Sequence, residues 1–138
     1  MMRDQMLMEI AHVVAQRSKC KRAQVGAVIS LEGRVLSIGY NGSPSGQPDC
    51  CGQLNEPCTE SVHAEANAIA WAARKGVAIE GATLYVTMSP CHDCAKLISA
   101  SGIVKVVYDE KYRLSEGTDY LNDLVEVEHY ESKRPVSD

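Results

Sequence analysis

Apolar positions along the chain follow two different periods, and this alternation predicts where helices and strands lie. Met6, Ile10, Val13 and Val14 recur at helical spacing, so residues 4–17 are predicted to form a helix that packs this stripe on the core. Short runs rich in β-branched residues predict strands at 25–30, 34–40, 82–88, 103–108 and 124–127. Further helices are predicted at 62–75, 91–101 and 115–121.

The order of these elements predicts an α/β sandwich. Glu32 and Gly33 are typical turn residues between the first two strands, which are therefore expected to pair as a hairpin. From there onward strands alternate with helices, which favours parallel pairing in the second half of the sheet. The chain has 138 residues, enough for one core, so a single domain over residues 1–138 is expected.

Composition and charge narrow the classes of partner. Hydrophobic residues make up 45% and charged residues 23%, which is typical of a globular domain rather than a disordered chain. No apolar run is long enough for a membrane span and the first residues do not resemble a secretory leader, so a cytoplasmic location is expected. The 14 basic and 18 acidic residues argue against a nucleic-acid partner. Two basic runs, Lys19–Arg22 and Lys111–Arg113, still permit a small anionic ligand.

Candidate metal ligands stand at the start of two predicted helices. His63 opens one helix, and Cys91 and Cys94 open the next, with an apolar strand between them. Consecutive strand–helix units begin their helices at one edge of a sheet, so these side chains are expected to meet. One imidazole and two thiolates suit zinc and leave a fourth coordination position open, which is typical of a catalytic zinc.

Glu65 lies two residues after His63, in the same first helical turn. A carboxylate there can take a proton from a metal-activated water and deliver it elsewhere. Each feature alone has a simpler interpretation, with Glu65 as a first-turn acid and Cys91–Cys94 as a redox pair or half of a structural zinc site. The loop before His63 contains three more thiols that could complete such a structural site or hold a second metal: Cys50, Cys51 and Cys58. The joint occurrence favours a catalytic centre.

The motifs His63-Ala64-Glu65 and Pro90-Cys91-His92-Asp93-Cys94 resemble the paired motifs of zinc-dependent nucleobase deaminases. Further segments are similar to deoxycytidylate deaminases of the cytidine/deoxycytidylate deaminase superfamily: SKCKRAQVGAVI, GYNGSPSG, HAEANAI, GATLYVTMSPCHDCAKLI and VVYDEKYR. This resemblance implies a three-layer α/β/α sandwich around a mixed sheet of about five strands. It also implies hydrolytic deamination of dCMP to dUMP and ammonia, with one catalytic Zn²⁺ per chain and Glu65 as the proton carrier.

The same resemblance implies further binding residues. Asn41 is similar to an asparagine that contacts the sugar. The 5′-phosphate is expected to meet Arg22, Lys111, Tyr112 and Arg113. A separate site for dCTP as activator and dTTP as inhibitor, each with Mg²⁺, is expected to involve Lys19, Arg22, Tyr40, Gly42, Ser43 and Gly46. The loop that contains Gly42, Ser43 and Gly46 is expected to leave its backbone N–H groups free to face phosphates. The resemblance also implies a homo-hexamer.

Two departures from the family pattern fall in the long loop before His63. Asp49-Cys50 stands where many members have His-Cys, and Cys58-Thr59-Glu60 where many have Cys-x-Arg.

One alternative function is a zinc deaminase that acts on transfer-RNA adenosine, a free base or a nucleoside. Tyr40 stands where transfer-RNA adenosine deaminases usually carry Trp, which favours dCMP. The other alternative is a non-catalytic zinc-stapled binding module, which would have no use for Glu65.

Overall fold

The computed structural model describes residues 1–20, 23–43 and 61–130, and every predicted element is present in the predicted order. The helices are α1 (Arg3–Ala15), α2 (Ala64–Lys75), α3 (His92–Ala100) and α4 (Glu116–Asn122). The strands are β1 (Gly26–Leu31), β2 (Arg34–Tyr40), β3 (Thr83–Met88), β4 (Lys105–Glu110) and β5 (Glu126–His129). Within these described ranges, no helix combines the length and the apolar character needed to cross a lipid bilayer.

One mixed five-stranded sheet organises the fold, with strand order β2-β1-β3-β4-β5. β1 pairs antiparallel with β2 and β3, whereas β4 pairs in parallel with β3 and β5. The hairpin turns at Glu32 and Gly33, whose φ angles of 55° and 79° are the left-handed values that a two-residue hairpin turn needs. The predicted hairpin and the predicted parallel pairing are therefore confirmed.

Helices cover both faces of the sheet, which gives the three-layer α/β/α sandwich. On one face α1 packs through a core of Leu7, Met8, Ala11, Val28, Tyr85 and Val107. On the other face α2, α3 and α4 share a larger core that includes Ile29, Ala68, Leu84, Val86, Ile98 and Leu121. The neighbouring residues Val28 and Ile29 belong to different cores because successive side chains of a strand point to opposite faces.

Two glycines bring helices very close to the sheet. A Cβ atom on Gly26 would lie 2.0 Å from the carbonyl oxygen of Ala11 in α1. A Cβ atom on Gly39 would lie 2.4 Å from the carbonyl oxygen of Ala64 in α2. Any larger residue would displace a helix, because each contact is with backbone rather than with a mobile side chain. Gly39 therefore determines the position of α2, the helix that carries Glu65 in its first turn.

The apolar stripe of α1 differs from the predicted one. Val14 is buried as expected, but Val13 is 63% exposed and Met6 is 38% exposed, so their predicted place in the core is wrong. The buried side of α1 consists of Leu7, Met8, Ala11, Val14 and Ala15. The physical reason is the close approach at Gly26, which demands small side chains such as Ala11 at the contact. Hydropathy favours the larger side chains and misses this.

The last two strands begin two residues later than predicted. β4 continues through the polar residues Asp109 and Glu110 because its ladder with β3 extends to the pair of Met88 and Glu110. β5 likewise begins at Glu126 because it pairs with β4 from that residue onward. Backbone hydrogen bonds rather than side-chain hydropathy decide these ends. The shift matters because β4 now ends at Glu110 and leads directly to Lys111.

Candidate active site

The three predicted metal ligands lie at the start of two helices. His63 is the N-cap residue of α2 and Cys91 is the N-cap residue of α3, both with extended backbone conformation. Cys94 follows in the first turn of α3 and is buried. Neither N-cap side chain accepts a hydrogen bond from its own helix. Instead, the imidazole of His63 contacts both thiols.

The three ligand atoms have the spacing of a tetrahedral zinc site. The Nδ1 atom of His63 lies 3.5 Å from Sγ of Cys91 and 3.3 Å from Sγ of Cys94. Zn–N and Zn–S bonds of about 2.0 and 2.3 Å at a tetrahedral angle would place nitrogen and sulfur about 3.5 Å apart. All three ligand atoms lie within 4.8 Å of one another. These residues therefore fit a zinc ion that keeps one coordination position for water or substrate.

Hydrogen bonding separates the proton affinities of the two thiols. Hydrogen bonds from Cys94 and His63 lower the pKa of Cys91 to about 4. The pKa of Cys94 is raised by its hydrogen bond to Cys91 and by burial. The hydrogen bond to Cys91 also raises the pKa of His63. The two sulfur atoms lie within 4.8 Å of each other, so two thiolates here would repel each other. A divalent cation would supply the positive charge that lets both thiols ionise.

Glu65 is buried beside this cluster, with only 4% of its surface exposed. Burial raises the pKa of its carboxyl group to about 7, although its own backbone N–H and the charge of His63 act in the opposite direction. A carboxyl group with a pKa near neutrality can both accept and donate a proton at pH 7. The structure thus gives Glu65 the acid–base properties that a proton carrier needs.

A cavity of about 570 Å³ is lined by His63, Glu65 and Cys91. This volume lies within the range of about 300–1,000 Å³ that small-molecule sites occupy. The cavity is also lined by Lys111, Tyr112 and Arg113, the three residues that directly follow β4. It therefore brings the metal-ligand cluster, a buried carboxyl group and two cationic side chains to one site.

The two cationic side chains are available to an anion. Lys111 and Arg113 are exposed, and neither forms an ion pair with a carboxylate of the described residues. The guanidinium carbon of Arg113 lies 6.0 Å from the centre of the Tyr112 ring, a cation–π contact. Three of the four residues predicted for the phosphate thus lie together, whereas Arg22 falls outside the described residues.

Asn41 lines the same cavity, and the protein holds its side chain firmly. Its Oδ1 accepts a hydrogen bond from the N–H of Val25, and its Nδ2 donates to the carbonyl of Ala23, both at 2.8 Å. The hydroxyl of Ser18 donates to the carbonyl of Asn41, also at 2.8 Å. The amide retains one N–H and one lone pair for a ligand. The predicted sugar contact stays a prediction.

The residues predicted for an effector site are only partly described. Gly46 and Arg22 lie outside the described residues, as do the loop cysteines Cys50, Cys51 and Cys58 and the departures Asp49 and Glu60. Lys19 is exposed, and the ring of Tyr40 lies 5.8 Å from the guanidinium carbon of Arg17. The guanidinium group of Arg17 therefore places positive charge beside the end of β2, where the predicted effector residues begin.

The expectation that Gly42 leaves its backbone N–H free is wrong. This N–H donates to the carbonyl of Val62 at 3.1 Å, and the N–H of Val62 donates back at 2.8 Å. The two residues form an isolated antiparallel bridge next to the metal ligand His63. The flanking hydroxyls of Ser43 and Ser61 are buried and have no hydrogen-bond partner in the described part of the chain. The glycine here serves pairing rather than phosphate binding through its N–H.

Ser89 lines the cavity and has no role in the predicted site. It is buried, and its hydroxyl oxygen accepts a hydrogen bond from the N–H of Tyr112 at 2.6 Å. The only sequence indication was its position directly before Pro90 and Cys91. Other cavity-lining residues without a predicted role are Cys20, Ala23, Val25, Ser61, Ala64 and Met88.

Comparison with known proteins identifies the family. Residues 1–110 match the family described as the cytidine and deoxycytidylate deaminase zinc-binding region. The chain is 42% identical, over an alignment 148 positions long including gaps, to the deoxycytidylate deaminase of Enterobacteria phage T4, and the alignment covers 77% of each chain. It is 41% identical to the deoxycytidylate deaminase of Mycobacterium phage D29, covering 78% of this chain and 94% of that one. The crystal structure of dCMP deaminase from cyanophage S-TIM5 in complex with dCMP and dUMP has a TM-score of 0.86 at 40% identity, covering 91% of this chain and 94% of that one. The chain therefore belongs to the cytidine and deoxycytidylate deaminase family.

Proposed function

We propose that this chain is an enzyme that hydrolyses dCMP to dUMP and ammonia. The observation that carries this function is the cavity, which joins the metal-ligand cluster, the buried carboxyl group of Glu65 and the cations of Lys111 and Arg113. The relatives from phages T4 and D29 are named as deoxycytidylate deaminases, and the structural neighbour binds dCMP and dUMP. A metal site beside an acid–base group suits deamination of the cytosine ring, and the two cationic side chains suit binding of the phosphate.

The residues of the chain divide the chemistry between them. Zinc, when held by His63, Cys91 and Cys94, supplies Lewis acidity that lowers the pKa of a coordinated water toward about 7. Glu65 takes a proton from the attacking water and gives it to the ring nitrogen beside the reacting carbon. Glu65 then carries the remaining proton of the new hydroxyl group to the amino group, so that the C–N bond breaks, ammonia leaves and the carbonyl of dUMP forms. Burial favours the neutral carboxyl group, so Glu65 can hold the proton between these transfers.

A substrate panel tests the proposed reaction directly. Ammonia release is measured with dCMP, dCTP, deoxycytidine, CMP, guanine and transfer RNA under the same conditions. We expect dCMP to give the highest kcat/KM because it alone in this panel combines a cytosine, a deoxyribose and a single phosphate group. A higher value with transfer RNA, guanine or deoxycytidine would contradict dCMP as the substrate and support one of the alternative deaminases.

Replacing Arg113 by alanine is expected to lower kcat/KM for dCMP about 10- to 100-fold and that for deoxycytidine less than about threefold. The reason is that a hydrogen bond to a charged group typically contributes about 1.5–3 kcal/mol, and only the nucleotide has the charge. The exposed Arg74 at the end of α2 provides a matched control, and Arg74→Ala should change neither value. Equal losses with both substrates would show that Arg113 does not bind the phosphate.

Regulation by dCTP as activator and dTTP as inhibitor, each with Mg²⁺, is a further part of this proposal. It is supported by the family resemblance and by the positive charge of Arg17 beside the end of β2. The bridge between Gly42 and Val62 offers a route to the active site, because Val62 directly precedes His63. An effector acts only through its different affinities for two states, so it must contact a part that changes. A hexamer and a cytoplasmic location stay predictions.

Initial rates over a range of dCMP concentrations test this regulation. With Mg²⁺ present, dCTP is expected to lower the half-saturating dCMP concentration and dTTP to raise it, by a factor within the usual coupling range of about 5 to 150. Equimolar dGTP serves as a control for phosphate and magnesium effects. Hyperbolic curves that neither nucleotide moves would exclude this regulation and leave the deaminase activity itself unaffected.

A further inference from the structure

The turn after β3 and the segment after β4 are joined at the cavity by two hydrogen bonds. The backbone N–H of Ser89 donates to the carbonyl of Glu110 at 2.8 Å. The backbone N–H of Tyr112 donates to the hydroxyl oxygen of Ser89 at 2.6 Å. Only the second bond depends on the side chain at position 89. Ser89 itself is only 6% exposed and lines the cavity.

This second bond lies where the sheet no longer holds the chain. The ladder between β3 and β4 ends at the pair of Met88 and Glu110. Beyond it, the N–H of Tyr112 is held by a side chain rather than by a strand. The two residues that flank Tyr112 are Lys111 and Arg113, the cations at the cavity. The hydroxyl of Ser89 therefore fixes the segment from which both cations project.

Ser89 also lies two residues before the metal ligand Cys91. The same short turn thus leads into the metal-ligand cluster on one side and accepts the hydrogen bond of Tyr112 on the other. This arrangement sets the spacing between the place where the base reacts and the place where a phosphate binds. A shift of about 1 Å in a positioning element can cost about 100-fold in rate, so such a spacing has functional weight.

We infer that Ser89 is a positioning residue that gives the enzyme its preference for the nucleotide over the nucleoside. This inference rests on the proposed function, since it requires dCMP as the substrate. Ser89 acts through the backbone of Tyr112 and needs no contact with the reacting atoms. Its hydroxyl holds Lys111 and Arg113 at the correct distance from the metal-ligand cluster to receive the 5′-phosphate.

Replacing Ser89 by alanine removes the acceptor and leaves the N–H of Tyr112 without this partner. We expect kcat/KM for dCMP to fall about tenfold, mainly through KM, because a lost buried hydrogen bond typically has an effect of this size. The value for deoxycytidine should change less than about threefold, because the nucleoside has no phosphate to position. Ser89→Thr keeps the hydroxyl and should keep most of the preference for dCMP.

Thr87→Val, in the strand β3 that leads to Ser89, is the matched control. Thr87 is buried, and its hydroxyl oxygen also accepts a backbone hydrogen bond, but from Gly26 of β1 at 3.1 Å. Removing that bond can lower stability without reaching the cavity, so the ratio of kcat/KM values for dCMP and deoxycytidine should not change. Zinc content is measured for each variant so that a loss of metal is recognised.

Amide hydrogen exchange supplies a readout that does not depend on activity. The N–H of Tyr112 should exchange at least about tenfold faster in Ser89→Ala than in the wild type or in Thr87→Val, since its hydrogen bond is lost. Unchanged exchange at Tyr112, or equal losses of kcat/KM with both substrates in a zinc-loaded protein, would overturn the role of Ser89. A wild-type protein that fails to deaminate dCMP would instead refute the proposed function. The exchange measurement tests only the role of Ser89, so the two failures can be distinguished.

Discussion

Replacing Glu65 by glutamine is expected to reduce kcat for dCMP deamination by about 10⁴-fold or more, with the fold and the metal content unchanged. Removal of a positioned acid–base group typically costs about 10²–10⁴-fold. Glu65 is proposed to serve both the attack of water and the departure of ammonia, which places the effect at the upper end. Glutamine has nearly the same shape as glutamic acid, and burial already favours the neutral carboxyl group. The substitution therefore introduces no new buried charge.

The controls for this variant separate chemistry from folding. Glu80→Gln changes an exposed carboxylate outside the cavity and should leave kcat unchanged. Thermal unfolding and zinc content are measured for both variants. A Glu65→Gln protein that keeps a tenth of the wild-type kcat would refute the assigned role. Absence of ammonia release from the zinc-loaded wild type as well would favour the alternative in which the zinc cluster only staples a non-catalytic binding module.

Replacing His63 by alanine is expected to remove zinc from the protein and to abolish deamination. The wild type should contain one zinc per chain at the His63, Cys91 and Cys94 cluster, because the three ligand atoms have tetrahedral spacing. Loss of a residue that only supports a metal ligand typically costs about 10- to 100-fold, so loss of a ligand itself should exceed this. Elemental analysis of purified protein and the rate of ammonia release measure the two effects.

His92→Ala is the matched control, since His92 lies beside Cys91 but outside the cluster. Its ring is exposed and contacts the edge of Tyr120 with 5.3 Å between ring centres. This variant should keep both its zinc and its activity. An unchanged zinc content in His63→Ala would place the metal elsewhere, with Cys50, Cys51 and Cys58 as the next candidates. More than one zinc per wild-type chain would indicate a second site in that loop.

Local patterns were sufficient where one helix start or one turn carries the information. His63 and Cys91 lie at N-cap positions because each follows a loop and precedes a helical run, and both features are visible in the sequence. The turn at Glu32 and Gly33 is a similarly local feature. Such positions depend on a few neighbouring residues, so hydropathy and residue type predict them well.

Patterns were insufficient where the outcome depends on a distant partner. Val13 was expected in the core, but the close contact of α1 with Gly26 turns it to solvent. The N–H of Gly42 was expected to be free, but Val62 accepts its hydrogen bond. No role was predicted for Ser89, yet its hydroxyl oxygen accepts a hydrogen bond from the N–H of Tyr112. In each case the partner lies many residues away in the chain, and a local period contains no information about it.

The order of the elements, the α/β class and the residue types of the metal-ligand cluster can be predicted without a structure, because they follow from periodicity and from the ligand chemistry of zinc. Which side chains meet in one cavity depends on the tertiary structure. The strand order places α2 and α3 on the same face of the sheet, and this brings His63 within 3.3 Å of Cys94. The tertiary structure also places Lys111 and Arg113, which follow the end of β4, at that cavity. Backbone pairing with β3 rather than hydropathy determines where β4 ends.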